Sequence, residues 1–171
     1  RRVLFRSRFT PPEHAAHERV LLHFGADDHS ATVWVDGNVV GTHRGGHTSF
    51  TFDITEALRP GAADHEIVVR ALDEFRADQL RGKQPATFPF MIHYTPTSGI
   101  WQPVWVEIAG RAWIREVHVR AEADGTLVVE PDVAGAADLA MRTRVAVTTD
   151  TGPFAADSAA GSLQVHTTVP G

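Results

Sequence analysis

The chain has 171 residues, of which 43% are hydrophobic and 22% are charged, a composition that excludes a disordered or fibrous protein. Its formal net charge is −5 and its basic residues are scattered along the sequence, so we expect no nucleic acid partner. Because the chain contains no cysteine, disulfides, thiolate chemistry and cysteine-based zinc sites are excluded.

The hydropathy pattern and the first six residues are informative about membrane association and cellular location. No apolar run approaches the roughly 18 to 20 residues that span a bilayer, and residues 1–6 lack a secretory pattern. We therefore expect no membrane partner, and the cytoplasm is only a default location.

Short segments of alternating hydrophobic and polar residues fill the first part of the chain and predict half-buried β-strands. The predicted strands are 20–24, 31–35, 39–42, 49–54, 65–71 and 100–108. The clearest turn is Asp36-Gly37, which supplies the positive φ angles of a tight hairpin. One helical turn is expected at 55–58 before Pro60-Gly61, and Pro103 indicates an edge strand or a bulge. Together these signals predict a β-sandwich.

The sequence between residues 73 and 98 has no periodicity and is polar and proline-containing. A loop of this length in a compact domain is unusual unless it has a function. The side chains in it that we consider for substrate binding are Arg81, Lys83, Gln84, His93 and Tyr94. The alternative is a solvated connection that contacts no ligand.

A new set of strands begins near residue 111, so we place a domain boundary between residues 110 and 111. Strands are predicted at 113–120, 127–130, 142–148 and 163–167, with small-residue loops at 134–138 and 155–162.

Several motifs in a fixed order identify a resemblance. They are LHFGA at 22–26, VWVDG at 33–37, GTHRGGHTSF at 41–50, FDIT at 52–55, RGKQ at 81–84 and TPTSGIWQPVW at 95–105. This series resembles the amino-terminal sugar-binding domain of glycoside hydrolase family 2, which includes β-galactosidases, β-glucuronidases and β-mannosidases. The resemblance implies an all-β chain, with a galactose-binding-like jelly roll over 1–110 followed by an immunoglobulin-like sandwich over 111–171. Since such a sandwich usually takes about 100 residues, we expect the second one to be truncated.

The resemblance also implies that the catalytic residues lie in a domain other than the two described above. In the family, a TIM barrel that follows these domains carries two catalytic glutamates, and cleavage retains configuration. No pair of acids in this sequence can be assigned those roles, so we expect no catalytic residue here and no hydrolysis by this chain alone. The resemblance implies a non-catalytic amino-terminal fragment of a retaining, exo-acting β-glycosidase. Its partners would be a β-linked sugar and the barrel.

Other functions stay open. The chain could be a stand-alone carbohydrate-binding module or a structural spacer. A truncated sandwich would leave an unpaired strand edge, which favours homo-oligomers.

In the family, a loop of the first domain reaches toward the active site. His93 stands where β-galactosidases of the family carry a sugar-contacting acid, so galactose preference does not follow.

Three groups of residues have competing interpretations. Asp27, Asp28 and Asp53 could help to bind a structural Ca²⁺, but acids of this kind are usually solvated turn residues, and we expect no other cofactor or metal. The segment Arg44-Gly45-Gly46-His47 could be a ligand loop or a simple turn. The tryptophans could stack on sugars, although their positions in strands favour core or interface packing; they are Trp34, Trp101, Trp105 and Trp113.

Overall fold

The computed structural model describes residues 2–74, 76, 79, 82–85, 90–122, 126–135, 142–149, 152–159 and 167–168. The chain divides into two compact units, Arg1–Ala109 and Gly110–Gly171. Helical structure in the described residues is limited to one 3-10 turn at Thr55–Ala57. The prediction of an all-β chain is therefore confirmed.

The described residues of the first unit form nine strands. They are β1 (Arg2–Phe9), β2 (Arg19–Phe24), β3 (Asp27–Asp28), β4 (Ser30–Val35), β5 (Asn38–Arg44), β6 (Phe50–Asp53), β7 (His65–Leu72), β8 (Gly99–Ile100) and β9 (Val104–Ala109). An antiparallel four-stranded sheet has the order β1-β7-β4-β5, and a three-stranded sheet has the order β6-β2-β9. The short strands β3 and β8 pair with each other. Strand β1 was not predicted. Of the two alternatives for Pro103, an edge strand or a bulge, the edge agrees with the structure, because β9 follows Pro103 and borders its sheet.

The hydrophobic core lies between these two sheets. Val20, Leu22 and Phe24 of β2 are buried, as the alternation predicts. They pack in one cluster with inward side chains of β4 and β7, among them Val33 and Val69. Burying a side chain of this size contributes about 1.5 to 3 kcal/mol, so this cluster stabilises the packing of one sheet on the other.

The predicted hairpin turn is confirmed. Val35 pairs with Asn38 across the turn, and Asp36 and Gly37 have φ angles of 47° and 85°, as a two-residue turn of type I′ requires. The predicted helical turn is also present, and the Asp53 carboxylate accepts hydrogen bonds from the backbone and side chain of Thr55 at its start.

The second unit contains five described strands. They are β10 (Ala112–Ala121), β11 (Thr126–Gly135), β12 (Arg142–Thr149), β13 (Gly152–Ala159) and β14 (Thr167–Thr168). The orders are β10-β11-β14 and β12-β13. The prediction of a loop at 155–162 is wrong where β13 pairs with β12, because the hairpin imposes strand structure on small residues of low β propensity. Residues 163–166 of the last predicted strand lie outside the described residues.

Candidate functional site

A cleft of about 330 Å³ lies beside the long loop that joins β7 to β8. It is lined by Asp28, His47, Gly82, Lys83, Gln84, Tyr94, Thr97 and Trp101. We call it the loop cleft. Asp28 comes from β3, His47 from the connection between β5 and β6, and Trp101 directly follows β8. Pairing of Asp28 with Gly99 brings these distant segments together.

The part of the loop that lines the cleft is held by its own hydrogen bonds. The side-chain oxygen of Gln84 accepts a hydrogen bond of 3.1 Å from the backbone N–H of Thr97, and its amide nitrogen donates to the Thr97 hydroxyl over 3.4 Å. The backbone N–H of Tyr94 donates to the carbonyl of Lys83 over 3.0 Å. Residues 83–84 and 94–97 of the loop therefore hold each other where they line the cleft.

Trp101 forms an aromatic wall of the cleft. Its indole nitrogen donates a hydrogen bond of 2.8 Å to the carbonyl of Gly46, and the His47 ring meets it edge-on with centroids 5.7 Å apart. Trp101 is nevertheless 52% exposed. A fixed and accessible indole of this kind can pack on the C–H face of a pyranose.

Asp28 provides the acidic side of the cleft. The carboxyl is half-buried, and burial raises its pKa, helped by the charge of Asp73 and opposed by His29 and His47. A Cβ atom at Gly46 would lie 2.8 Å from an Asp28 carboxylate oxygen, so a larger residue there would displace this carboxylate. Glycine thereby lets the backbone approach the carboxyl closely.

Lys83 provides the cationic side. Its side chain is exposed, and among the described residues no ion pair engages its ammonium group. The loop cleft thus joins an acceptor, a cation and two aromatic rings, with Tyr94 as the second ring. This combination suits a polyhydroxylated ring, whose hydroxyls take hydrogen bonds while its C–H face packs on aromatics.

Three of the five side chains predicted from the sequence to bind substrate line this cleft. Lys83, Gln84 and Tyr94 line it, and Gln84 also braces the loop. His93 lies outside the lining residues, and its Nδ1 is 2.7 Å from the carbonyl of Phe90 in its own turn. Arg81 lies outside the described residues.

Sequence reasoning missed three contributors to the cleft: Asp28, His47 and Trp101. Asp28 was considered for a cation, His47 belonged to the candidate ligand loop, and Trp101 was assigned to packing. The packing interpretation is wrong as regards the core, because Trp34 and Trp113 are only half-buried and Trp101 and Trp105 are exposed. Each of the three residues belongs to a motif that is visible in the sequence, but their approach to one another depends on the pairing of β3 with β8.

Metal binding receives no support from side-chain clusters in the described part of the chain. Within it, no three His, Asp or Glu side chains lie together so that they could hold a metal ion. Asp53 is engaged instead by Arg19, whose Nε lies 2.7 Å from its carboxylate.

Among the described residues, no helix is long and apolar enough to cross a bilayer.

Comparisons with known proteins agree with the fold. Residues 1–126 match the family model described as glycosyl hydrolase 2 galactose-binding domain-like. A β-galactosidase of Thermoanaerobacter pseudethanolicus is 31% identical over 114 residues, covering 67% of this chain and 14% of that protein. A β-glucuronidase of Paenibacillus borealis is 34% identical over 67 residues, covering 39% of this chain and 11% of that protein. The solved structure of a Faecalibacterium prausnitzii β-glucuronidase superposes with a TM-score of 0.66 and 25% identity, covering 99% of this chain and 31% of that chain. The chain thus spans a small part of the proteins it resembles.

Proposed function

Because the chain belongs to the galactose-binding-domain-like family of glycosyl hydrolase 2 proteins, we propose that it is the non-catalytic amino-terminal part of a retaining, exo-acting β-glycosidase. In this role the first unit is a scaffold for a catalytic TIM barrel and contributes a rim to its active site. The curated relatives that support this proposal are a β-galactosidase and a β-glucuronidase, and each is several times longer than this chain.

The loop cleft is the observation that carries the proposal. It combines Asp28, Lys83 and the Trp101 indole on segments that hydrogen bonds hold in place. A sugar needs both directional polar partners and a flat apolar surface, and a spacer domain needs neither. We assign Lys83, Gln84 and Tyr94 to this rim, together with Arg81 and His93 from the same loop.

The domain organisation belongs to the same proposal. Residues 1–110 would form the jelly roll, and residues 111–171 would form part of an immunoglobulin-like sandwich. The division into the units Arg1–Ala109 and Gly110–Gly171 supports a boundary at this point. Substrates would be β-linked sugars, as the names of the relatives suggest.

Hydrolysis assays on this chain and on the complete polypeptide that contains it test the proposal. Aryl β-galactosides, β-glucuronides and β-mannosides are the substrates, and proton NMR identifies the anomer released first. We expect the complete polypeptide to hydrolyse at least one substrate with retention and the chain alone to hydrolyse none, because retaining cleavage requires two carboxylates of the barrel. Turnover by the chain purified to homogeneity would overturn the non-catalytic role. A complete polypeptide that binds sugar without cleaving it would favour the stand-alone binding module.

A further inference from the structure

The outward face of the four-stranded sheet collects arginines that are far apart in the sequence. Residues directly opposite each other in antiparallel strands point to the same face. One cross-strand row is Arg2, Leu72, Ser30 and Arg44; the next is Leu4, Arg70, Thr32 and Thr42; the third is Arg6, Val68 and Trp34; and the last pairs Arg8 with Glu66. Since the alternating residues Val33 and Val69 are buried in the core, these rows face away from it. We call their five arginines the arginine face.

The charge of this face differs from that of the whole chain. Glu66 is the one acid in the four rows, and its carboxylate lies 3.6 Å from Nε of Arg6. The chain as a whole carries a formal charge of −5. At the borders of the face, Asp64 lines a cleft with Arg8, and Glu74 lines another with Arg44. Within the four rows themselves, five guanidinium groups stand against one carboxylate, so these rows carry a net positive charge on a protein that is acidic overall. Composition alone could not reveal it, because the sheet register creates it.

The centre of the face is ordered and partly apolar. Arg70 donates a hydrogen bond of 2.9 Å to the hydroxyl of Thr32, and its guanidinium carbon lies 5.7 Å from the centroid of the Trp34 ring. Leu4, beside Arg70 in the same row, is 65% exposed. Apolar surface is thus presented among fixed charges.

Strand geometry gives the dimensions of the face. Four residues along a strand span about 13 Å, and three strand spacings span about 14 Å. Arg2, Arg6 and Arg44 therefore mark three corners of an area that is larger than one sugar unit. No residue of the loop cleft belongs to it.

We propose that the arginine face binds an acidic polysaccharide whose sugars carry carboxylate groups. The planar guanidinium fork matches a carboxylate with two parallel hydrogen bonds, while Leu4, Val68 and Trp34 offer surface to the C–H faces of pyranoses. A nucleic acid fits less well, since the face is formed by strands alone and has no element that could enter a groove. The arginine face would hold the polymer on the first unit, which also carries the loop cleft, and would take no part in bond cleavage.

Binding of polygalacturonate to the chain at low ionic strength, measured by calorimetry, tests this proposal. We expect Arg2→Glu/Arg6→Glu to weaken binding at least about tenfold, since two exposed attractive contacts become repulsive. The matched control is Arg115→Glu/Arg120→Glu, which reverses two exposed charges in the second unit and should change the affinity less than about twofold. The conservative pair Arg2→Lys/Arg6→Lys keeps the charge but removes the planar fork, so it should show an intermediate loss.

Several results would overturn the proposal: no binding of polygalacturonate by the unaltered chain, equal binding of neutral dextran, or equal loss in the control pair. Duplex DNA bound as tightly as polygalacturonate would also overturn it, in favour of a nucleic acid partner. If Arg2→Glu/Arg6→Glu fails to fold by circular dichroism, the lysine pair decides. Unchanged affinity in that pair, with unchanged salt dependence, would rule out recognition by these two guanidinium groups.

Discussion

The Nδ1 atom of His65 lies 2.6 Å from a carboxylate oxygen of Asp36, and both side chains are almost completely buried. Asp36 also accepts hydrogen bonds from the backbone N–H groups of Arg59 and Glu66. A residue of the hairpin turn is thereby joined to β7 and to the segment before it. The same aspartate that permits the positive φ of the turn connects the turn to the sheet.

Replacing Asp36 should destabilise the first unit. Burial alone would raise the pKa of Asp36, but hydrogen bonds from His65, Glu66 and Arg59 outweigh it and hold the pKa well below its usual range. Asp36→Ala should therefore lower the free energy of unfolding by on the order of 3 kcal/mol, because several buried donors lose their acceptor. Urea unfolding at pH 7 measures this. Asp64→Ala, an exposed neighbour, is the control and should cost less than about 0.5 kcal/mol.

The contribution of Asp36 should also depend on pH. Because folding lowers its pKa, the stabilisation is fully present above the unfolded value of about 3.9 and declines as the pH falls below it. Urea unfolding between pH 3 and pH 7 measures this dependence. The difference in free energy of unfolding between the unaltered chain and Asp36→Ala should be smaller at pH 3 than at pH 7. A difference that grows on acidification would contradict the assignment.

Asp27 is a buried carboxyl that should reduce stability near neutral pH. It is completely buried, and neither carboxylate oxygen has a hydrogen-bond partner. Burial, with a contribution from the charge of Asp28, raises its pKa to about 6. The folded state thus favours the protonated form, so the contribution of Asp27 to stability is most favourable below about pH 4 and becomes less favourable as the pH rises towards 6.

Asp27→Asn should remove this pH dependence. We expect the variant to gain on the order of 2 kcal/mol at pH 7.5, where the native carboxylate is charged, and little at pH 4. Melting temperatures at the two pH values measure the effect. Asp157→Asn in the second unit is the comparison for a general charge effect. A gain for Asp27→Asn that is equal at both pH values would contradict the proposed cause.

Gly41 and Phe52 should be energetically coupled. A methyl group at Gly41 would overlap the Phe52 ring, whereas one at Gly61 would meet no atom. Gly41→Ala should cost about 1 to 3 kcal/mol through overpacking. The cost should shrink in the background of Phe52→Leu, with a coupling energy above about 0.5 kcal/mol. Gly61→Ala in the same cycle should show no coupling to Phe52→Leu, and additive effects at Gly41 would contradict the overlap.

The sequence predicts local features of this chain better than contacts between distant segments. The Asp36-Gly37 turn and the alternation around Leu22 depend on neighbouring residues, so they were predicted correctly. Strand β13 was missed because its small residues carry little β signal, and its pairing with β12 supplies the structure.

The candidate site shows the same limit. The long loop could be singled out, and with it Lys83 and Tyr94, because an aperiodic polar stretch is visible in one segment. Asp28 and Trp101 join it only through the pairing of β3 with β8. The burial of Asp27 could not be predicted either, since an acid before another acid reads as a solvated turn.

The brace formed by Gln84 should control the mobility of the loop. Its amide both accepts from and donates to Thr97, so Gln84→Ala should increase hydrogen exchange over residues 90–98. Lys83→Ala is the matched control, because Lys83 contributes its backbone carbonyl, rather than its side chain, to the contact with Tyr94. Exchange that is unchanged in Gln84→Ala would show that other contacts hold the loop.

The most direct test of the proposed rim role is the kcat/KM of the complete polypeptide carrying Lys83→Ala or Asp28→Asn. If these groups contact the sugar, the loss of one charged hydrogen bond should cost about 1.5 to 3 kcal/mol, or roughly 10- to 100-fold in kcat/KM. Asp64→Ala is the control, since Asp64 is exposed and lies outside the lining of the loop cleft, and it should retain nearly full activity. Melting temperatures within about 2 °C of the unaltered enzyme would exclude a stability effect. Unaltered kinetics in both Lys83→Ala and Asp28→Asn would contradict the account and leave the domain as a scaffold alone.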